Sequence, residues 1–197
     1  MKLLMSCLMG ILIAVPLAPI AVAAPTEAPP TTTPPIARPD AGTRPPIGTR
    51  GIYGSVYVGE SAPGFELENA SGRRVKLSDF AGERVMLCFA DRRAMLSAYR
   101  GTADTLLAIG IRLVGVTRDS PRSIRALAER DSLSFEILSD PTGEISATYG
   151  SYDYATASIR PAYFLVGRTR IVRMALLGQR LPPDDLVRIT RYALTGL

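Results

Sequence analysis

The amino-acid sequence predicts an α/β domain: a central mixed β-sheet flanked by α-helices. Three observations carry this. The apolar runs VMLCFA (85–90) and IRLVGVT (111–117) are continuous rather than alternating, the mark of strands covered on both faces. Stretches with apolar residues at helical spacing alternate with them. Two more runs, AYFLVG and RIVRMALL, follow each other closely near the end, as a closing strand pair would.

In chain order, FELEN and RRVKL alternate around the turn ASG, which reads as a β-hairpin. The VMLCFA strand follows. Met95, Tyr99, Thr102, Leu106 and Ile109 then recur at helical spacing, so one helix is expected there despite Gly101, which costs it about 1 kcal/mol. IRLVGVT is the second buried strand. Ser120 and Pro121 suit the cap and first position of a helix that turns Ile124, Leu127 and Ala128 inward. FEIL is a short strand, and DPTGEISATYG holds a brief helix stopped by Gly150. After the closing strand pair, Pro182 and Pro183 open a last helix with Leu186, Ile189 and Ala193 inward.

The N-terminal stretch is organised differently. Lys2, a dozen or so apolar residues (LLMSCLMGILIAV) and the small residues AVAA have the three parts of an export signal, with cleavage expected after Ala23. Residues 1–23 are therefore assigned as signal peptide. The rival is an uncleaved anchor, because residues 3–24 are nearly long enough to span a bilayer. The expected location is periplasmic or extracellular, or membrane-tethered through residues 3–24 in the rival case. Residues 24–50 form a linker: from 25 to 50 there are eight prolines and six threonines and hardly a large apolar side chain. Such a composition buries too little surface to offset chain entropy, and disorder is expected. Residues 51–197 form one domain, large enough for a single core.

Composition excludes much chemistry. There is no histidine in 197 residues, so no Ser-His-Asp or Cys-His nucleophile pair and no histidine-ligated metal can be built. Of the two cysteines, Cys7 lies in the signal segment, leaving Cys88 alone: no internal disulfide, no Cys-x-x-Cys, no four-cysteine zinc site. The net charge is +5, but the basic residues are dispersed along the chain, so no nucleic-acid partner is expected. No cofactor or metal is expected either. An unidentified protein partner or small ligand stays open, as does a homodimer.

Three segments carry a family resemblance. VGESAPGFELENASGRRVKLSDFAGERVMLCF, VGVTRDSPRSIRALAERDSLSFEILSDPTGEISATYG and IRPAYFLVGRTRIVR together resemble the peroxiredoxins, the alkyl hydroperoxide reductase and thiol-specific antioxidant branch of the thioredoxin-like fold. The likeness spans residues 58–177. It implies a thiol peroxidase whose reactive cysteine sits in the first turn of the helix after VMLCF, within a Pro-x-x-x-Thr-x-x-Cys motif. Here those places hold Asp91, Met95 and Ala98, and the Cys-x-x-Cys register of the thiol-disulfide relatives falls on Ala94 and Ser97. The resemblance also implies an arginine near the reacting peroxide, matched by Arg160, and a cis bond at Pro161.

Peroxide reduction needs a thiolate stabilised by a helix N-terminus and a cation. Ala98 supplies no nucleophile, Met95 no hydroxyl, and Ser97 stays protonated with no histidine as its base. The expectation is a catalytically degenerate domain acting as a binding or assembly module; the alternative is an antioxidant oxidoreductase working through Cys88 or a partner's thiol. Arg160 either binds an anion or pairs with Asp91 or Asp153. Cys88 reads as a core residue, and Asp184 and Asp185 read as capping carboxylates at a helix start. Tyr149, Tyr152 and Tyr154 form either a binding rim or amphipathic surface.

Overall fold

The computed structural model describes residues 56–195; the signal-peptide and linker assignments lie outside the described residues, as do 51–55 and 196–197 of the domain. The FELEN/RRVKL hairpin forms as β1 (Glu66–Asn69) and β2 (Arg74–Lys76), antiparallel with Leu67 opposite Val75, followed by one 3-10 turn (Leu77–Phe80). β3 (Arg84–Phe89) and β4 (Ile111–Thr117) are the two central strands, paired in parallel with Cys88 opposite Gly115. Between them lie α1 (Arg93–Ala98) and α2 (Arg100–Ala108). The chain continues through α3 (Pro121–Asp131), β5 (Glu136–Ser139), α4 (Glu144–Thr148) and the two-residue strands β6 (Tyr152–Asp153) and β7 (Ser158–Ile159). It ends with β8 (Ala162–Val166), β9 (Val172–Leu177) and α5 (Pro183–Thr195).

The main sheet has the order β2-β1-β5-β4-β3-β8-β9. β3, β4 and β5 are parallel; β1, β8 and β9 add antiparallel pairings, so the sheet is mixed as the closing hairpin foretold. The period-2 geometry of strands divides the central residues between two cores. Val85, Leu87 and Phe89 of β3 join Val114, Val116, Phe164 and Tyr149 on one face. Met86 and Cys88 join Leu113, Tyr163, Leu165 and the helix residues Leu96, Leu106, Ile124 and Leu186 on the other. Continuous apolar runs were needed because both faces are covered.

Gly115 sets how close a helix can come. A Cβ there would stand 2.8 Å from Leu96 Cδ2, so α1 rests on β4 where the strand lacks a side chain. The cap of α3 is as the sequence foretold, with Ser120 Oγ accepting from Ser123 N–H and Pro121 at the first position.

One helix was expected from Met95 to Ile109; two are found. The chain breaks at Tyr99 (φ −91, ψ 10), which ends α1 and begins α2. Met95, Tyr99, Thr102 and Leu106 still point inward, so the helical spacing was sound and only the continuity was not. In α5, Leu186 is buried, Ile189 and Ala193 pack partly against the core, and Thr190 is buried with its hydroxyl donated to Leu186 O at 2.6 Å.

Candidate functional site

The segment that leaves β3 is where the sequence placed a site. Ala90 N–H still bonds Val116 O at 2.8 Å, extending the β3–β4 pairing; the chain then turns at Asp91 and enters α1 through Arg92. Met95 is buried against Leu96 and Tyr99, a core side chain rather than one facing an open site. Ala98 does not lie in a first turn. It is the last residue of α1 and is exposed, because the break at Tyr99 ends the helix there. It lines an open groove of about 520 Å³ with Gly101, Thr102 and Thr105 on one wall and Val187, Arg188 and Arg191 of α5 on the other.

Arg160 is not part of that wall. It is exposed, its Nη2 lies 3.5 Å from Gly150 O, and its backbone N–H bonds Ser151 O at 2.6 Å. The expected pair with Asp91 does not form, because Arg180 holds that carboxylate: Nε donates to Oδ1 at 3.0 Å, and Nη2 donates to Oδ2. Asp153 feels the Arg160 charge only as the smallest of the influences on its carboxyl; the backbone N–H of Ala155 lowers it most. The two forming residues of the expected site, 98 and 160, therefore have separate neighbours. Pro161 is preceded by a trans bond, since no cis peptide occurs among the described residues.

Ser97 is committed elsewhere. Its hydroxyl meets the Asp131 carboxylate and lies 3.1 Å from Arg93 O. Asp131 is held below the usual carboxylate range, first by Arg130 and then by Ser97, which makes it a weaker base than an ordinary carboxylate. Cys88 is fully buried between Gly115 of β4 and Tyr163 of β8, and burial pushes its thiol well above the ordinary value. A thiol in that setting stays protonated and inert.

The residues that sequence reasoning missed belong to the strap between β9 and α5. Leu181 N–H donates to Tyr163 Oη at 2.8 Å, the two tyrosine hydroxyls of Tyr99 and Tyr163 meet at 2.6 Å, and Tyr99 O–H donates to Leu181 O at 2.6 Å. The circuit satisfies both backbone groups of Leu181 and both phenols. Burial raises both phenol pKa values. The available signal was Tyr163 in the middle of an apolar strand: a buried phenol must find a partner. With Arg180 on Asp91, the strap is fixed at two adjacent residues, Arg180 to the turn before α1 and Leu181 to Tyr99 after it and Tyr163 of β8.

The three tyrosines form neither a rim nor a shared surface. Tyr149 is fully buried, its ring 5.1 Å from both Phe89 and Phe164 and its hydroxyl donated to Pro63 O at 2.6 Å. Tyr152 is buried too and packs edge-on against Tyr154 at 5.0 Å; of the three, Tyr154 alone is exposed. Tyr152 lies against Gly143, whose φ of +74 and lack of Cβ make room for the ring. Asp184 and Asp185 do stand in the first turn of α5, and Asp185 pairs with Arg188 at 2.7 Å. Among the described residues no cluster of three or more His, Cys, Asp or Glu could hold a metal ion, and no helix is long and apolar enough to cross a membrane.

A profile of the AhpC/TSA family matches residues 58–175. The peroxiredoxin Bcp of Escherichia coli K12 is 30% identical over 99 residues, 47% of this chain and 64% of that protein. The chloroplastic peroxiredoxin Q of Sedum lineare is 31% identical over 149 residues, 72% of this chain and 80% of that one. The crystal structure of peroxidoxin BcpB from Mycobacterium tuberculosis superposes with a TM-score of 0.64 at 20% identity, covering 72% of this chain and 98% of that one. The stretch shared with the bacterial relatives is thus just under two thirds of their length.

Proposed function

The chain belongs to the AhpC/TSA family of peroxiredoxins, and from that premise we propose that it is an exported member without thiol chemistry of its own, acting as a binding or assembly module. One observation carries this reading. On the motif register read from the sequence the family's reactive cysteine falls on Ala98, a residue exposed at the end of α1, while the one thiol among the described residues, Cys88, is sealed in the sheet.

Thiol peroxidase chemistry requires a thiolate that attacks one peroxide oxygen while the other leaves, with a cation and hydrogen-bond donors steadying the charge. Met95 is turned into the core, the Arg160 guanidinium lies against Gly150 O, and the Asp91 carboxylate is held by Arg180. Each supports a scaffold that has kept its architecture and put its site residues to structural use. The export signal, with cleavage after Ala23, and the 24–50 linker would deliver the domain to the periplasm or the cell exterior; if uncleaved, residues 3–24 would tether it to the membrane.

The rival reading is a thiol-dependent antioxidant oxidoreductase using Cys88 or a partner's thiol, and family membership favours it. A hydroperoxide assay with a thiol reductant separates the two. Wild-type protein is expected to consume peroxide no faster than the reductant alone. Turnover well above background that disappears in Cys88→Ser would establish the rival.

A further inference from the structure

The basic residues are dispersed in the sequence, yet folding gathers four arginines at one end of the sheet. Arg84 opens β3, and because the next residue, Val85, pairs with Val166, it stands beside the turn joining β8 to β9. Arg168 and Arg170 occupy that turn and are exposed. Arg173 folds back over it: its Nε lies 3.2 Å from where a Cβ on Gly167 would be. None of the four has a carboxylate within ion-pair distance among the described residues. Of the acids close to this end, Glu83 holds Arg112 at 2.6 Å, and Glu60, whose Oε2 accepts from Tyr57 N–H, sets one carboxylate against the four guanidiniums.

Unneutralised like charges repel one another and concentrate a field that attracts anions. What lies next to them identifies the anion's source. Gly59 N–H bonds Val172 O and Ala62 N–H bonds Arg170 O, both at 2.8 Å, so the chain enters the domain along this same hairpin. Tyr57 and Val58, 55% and 59% exposed, stand at the entry. The described chain thus begins, at Val56, on the arginine end.

We propose that this end of the domain docks on an anionic bilayer surface, with Arg168, Arg170 and Arg173 on lipid phosphates and Tyr57 and Val58 at headgroup level. Arginine forks match phosphate oxygens, and a tyrosine presents an apolar ring and a polar tip suited to that interface. The inference rests on the export reading above, not on whether thiol chemistry remains; the peroxide assay decides the latter independently. It names a partner surface for the module.

The test is sedimentation of the full-length chain with vesicles of phosphatidylcholine alone and of equal parts phosphatidylcholine and phosphatidylglycerol. The apolar N-terminal segment contributes to both, so the reading is the difference between them. Each arginine at an anionic surface is worth about fivefold, so the three exposed ones predict a preference of roughly a hundredfold at low salt, shrinking as salt is added. The R168Q/R170Q/R173Q chain, its fold verified by circular dichroism, should lose that preference while binding phosphatidylcholine as before. Equal binding of wild type to both vesicles, or an undiminished preference in the triple variant, would overturn the proposal. So would displacement from anionic vesicles by a duplex oligonucleotide at equal phosphate concentration, which would make nucleic acid the better occupant.

Discussion

Tyr99 and Tyr163 share a hydrogen bond of 2.6 Å, and through it they hold both the N–H and the C=O of Leu181. One phenol comes from the joint between α1 and α2, the other from the middle of β8. The bond therefore joins three separate parts of the domain around a buried polar circuit. Tyr163→Phe leaves Leu181 N–H without an acceptor and should cost about 1–3 kcal/mol. Tyr99→Phe should cost a similar amount through the orphaned carbonyl. Because the two changes remove one shared bond, the double variant should lose less than the sum. Urea unfolding followed by far-ultraviolet circular dichroism measures all three, and strict additivity would mean the circuit is not coupled.

Asp91 should make the domain's stability depend on acid. Arg180 lowers its carboxyl from the ordinary value, chiefly by hydrogen bonding. A folded value below the unfolded one means the stabilisation is complete above the unfolded carboxylate value, about pH 4, and is lost as pH falls through the folded value. Wild type should exceed Asp91→Asn by about 1 kcal/mol at neutral pH, a modest figure because the guanidinium is half exposed. The gap should close on acidification. A gap that is constant from neutral pH to pH 3 would show that the ion pair is not its source.

The sheet was legible because short continuous apolar runs with β-branched and aromatic residues fit doubly covered strands, and the α3 cap because Ser120-Pro121 has a local geometric meaning. The break at Tyr99 was not legible. Periodicity fixes which residues face inward, and Met95, Tyr99, Thr102 and Leu106 all do so whether the helix is continuous or bent. The partners of Asp91 were equally hidden: Arg180 lies 89 residues away, and nothing local distinguishes it from Arg160 as a mate. The tyrosine cluster misled for a related reason. Closeness in sequence put three phenols together, but the sheet claimed Tyr149 for the core beside Phe89 and Phe164.

Cys88 should behave as an inert core residue. In a Cys7→Ser chain, a thiol reagent is expected to label it only after denaturant is added, since burial both shields it and raises its pKa. Cys88→Ala should cost about 1 kcal/mol. Labelling of native protein within minutes would contradict its placement in the sheet.

Gly143 should resist substitution. Its φ of +74 disfavours a side chain, and an added Cβ would come 2.3 Å from Tyr152 Cε2. Gly143→Ala should therefore cost about 2 kcal/mol, combining backbone strain with displacement of the ring. Gly143→Ala with Tyr152→Ala should recover the steric part only, a difference that denaturant titration resolves. No recovery would mean that backbone strain alone accounts for the loss.

A cysteine placed at residue 98 tests how the family motif has been rearranged. Were residue 98 in a first helical turn beside Arg160, its thiol would feel a helix dipole and a guanidinium, both favouring the thiolate. The structure puts it elsewhere: at the end of α1, exposed, with Arg188 and Arg191 across an open groove and Asp184 in the same lining. Opposed charges in a solvated groove offset one another and are screened. The Ala98→Cys thiol, in a Cys7→Ser, Cys88→Ser chain, should thus label rapidly in the native state with a pKa within about one unit of the ordinary 8.5. Arg160→Ala should leave that value where it is. Arg188→Gln with Arg191→Gln should raise it, because Asp184, together with Asp185 released from Arg188, would then outweigh the cations across the groove. The pH dependence of alkylation reads each of these. A strongly lowered pKa that rises on Arg160→Ala would restore the family's usual geometry and remove the structural case for a site without chemistry.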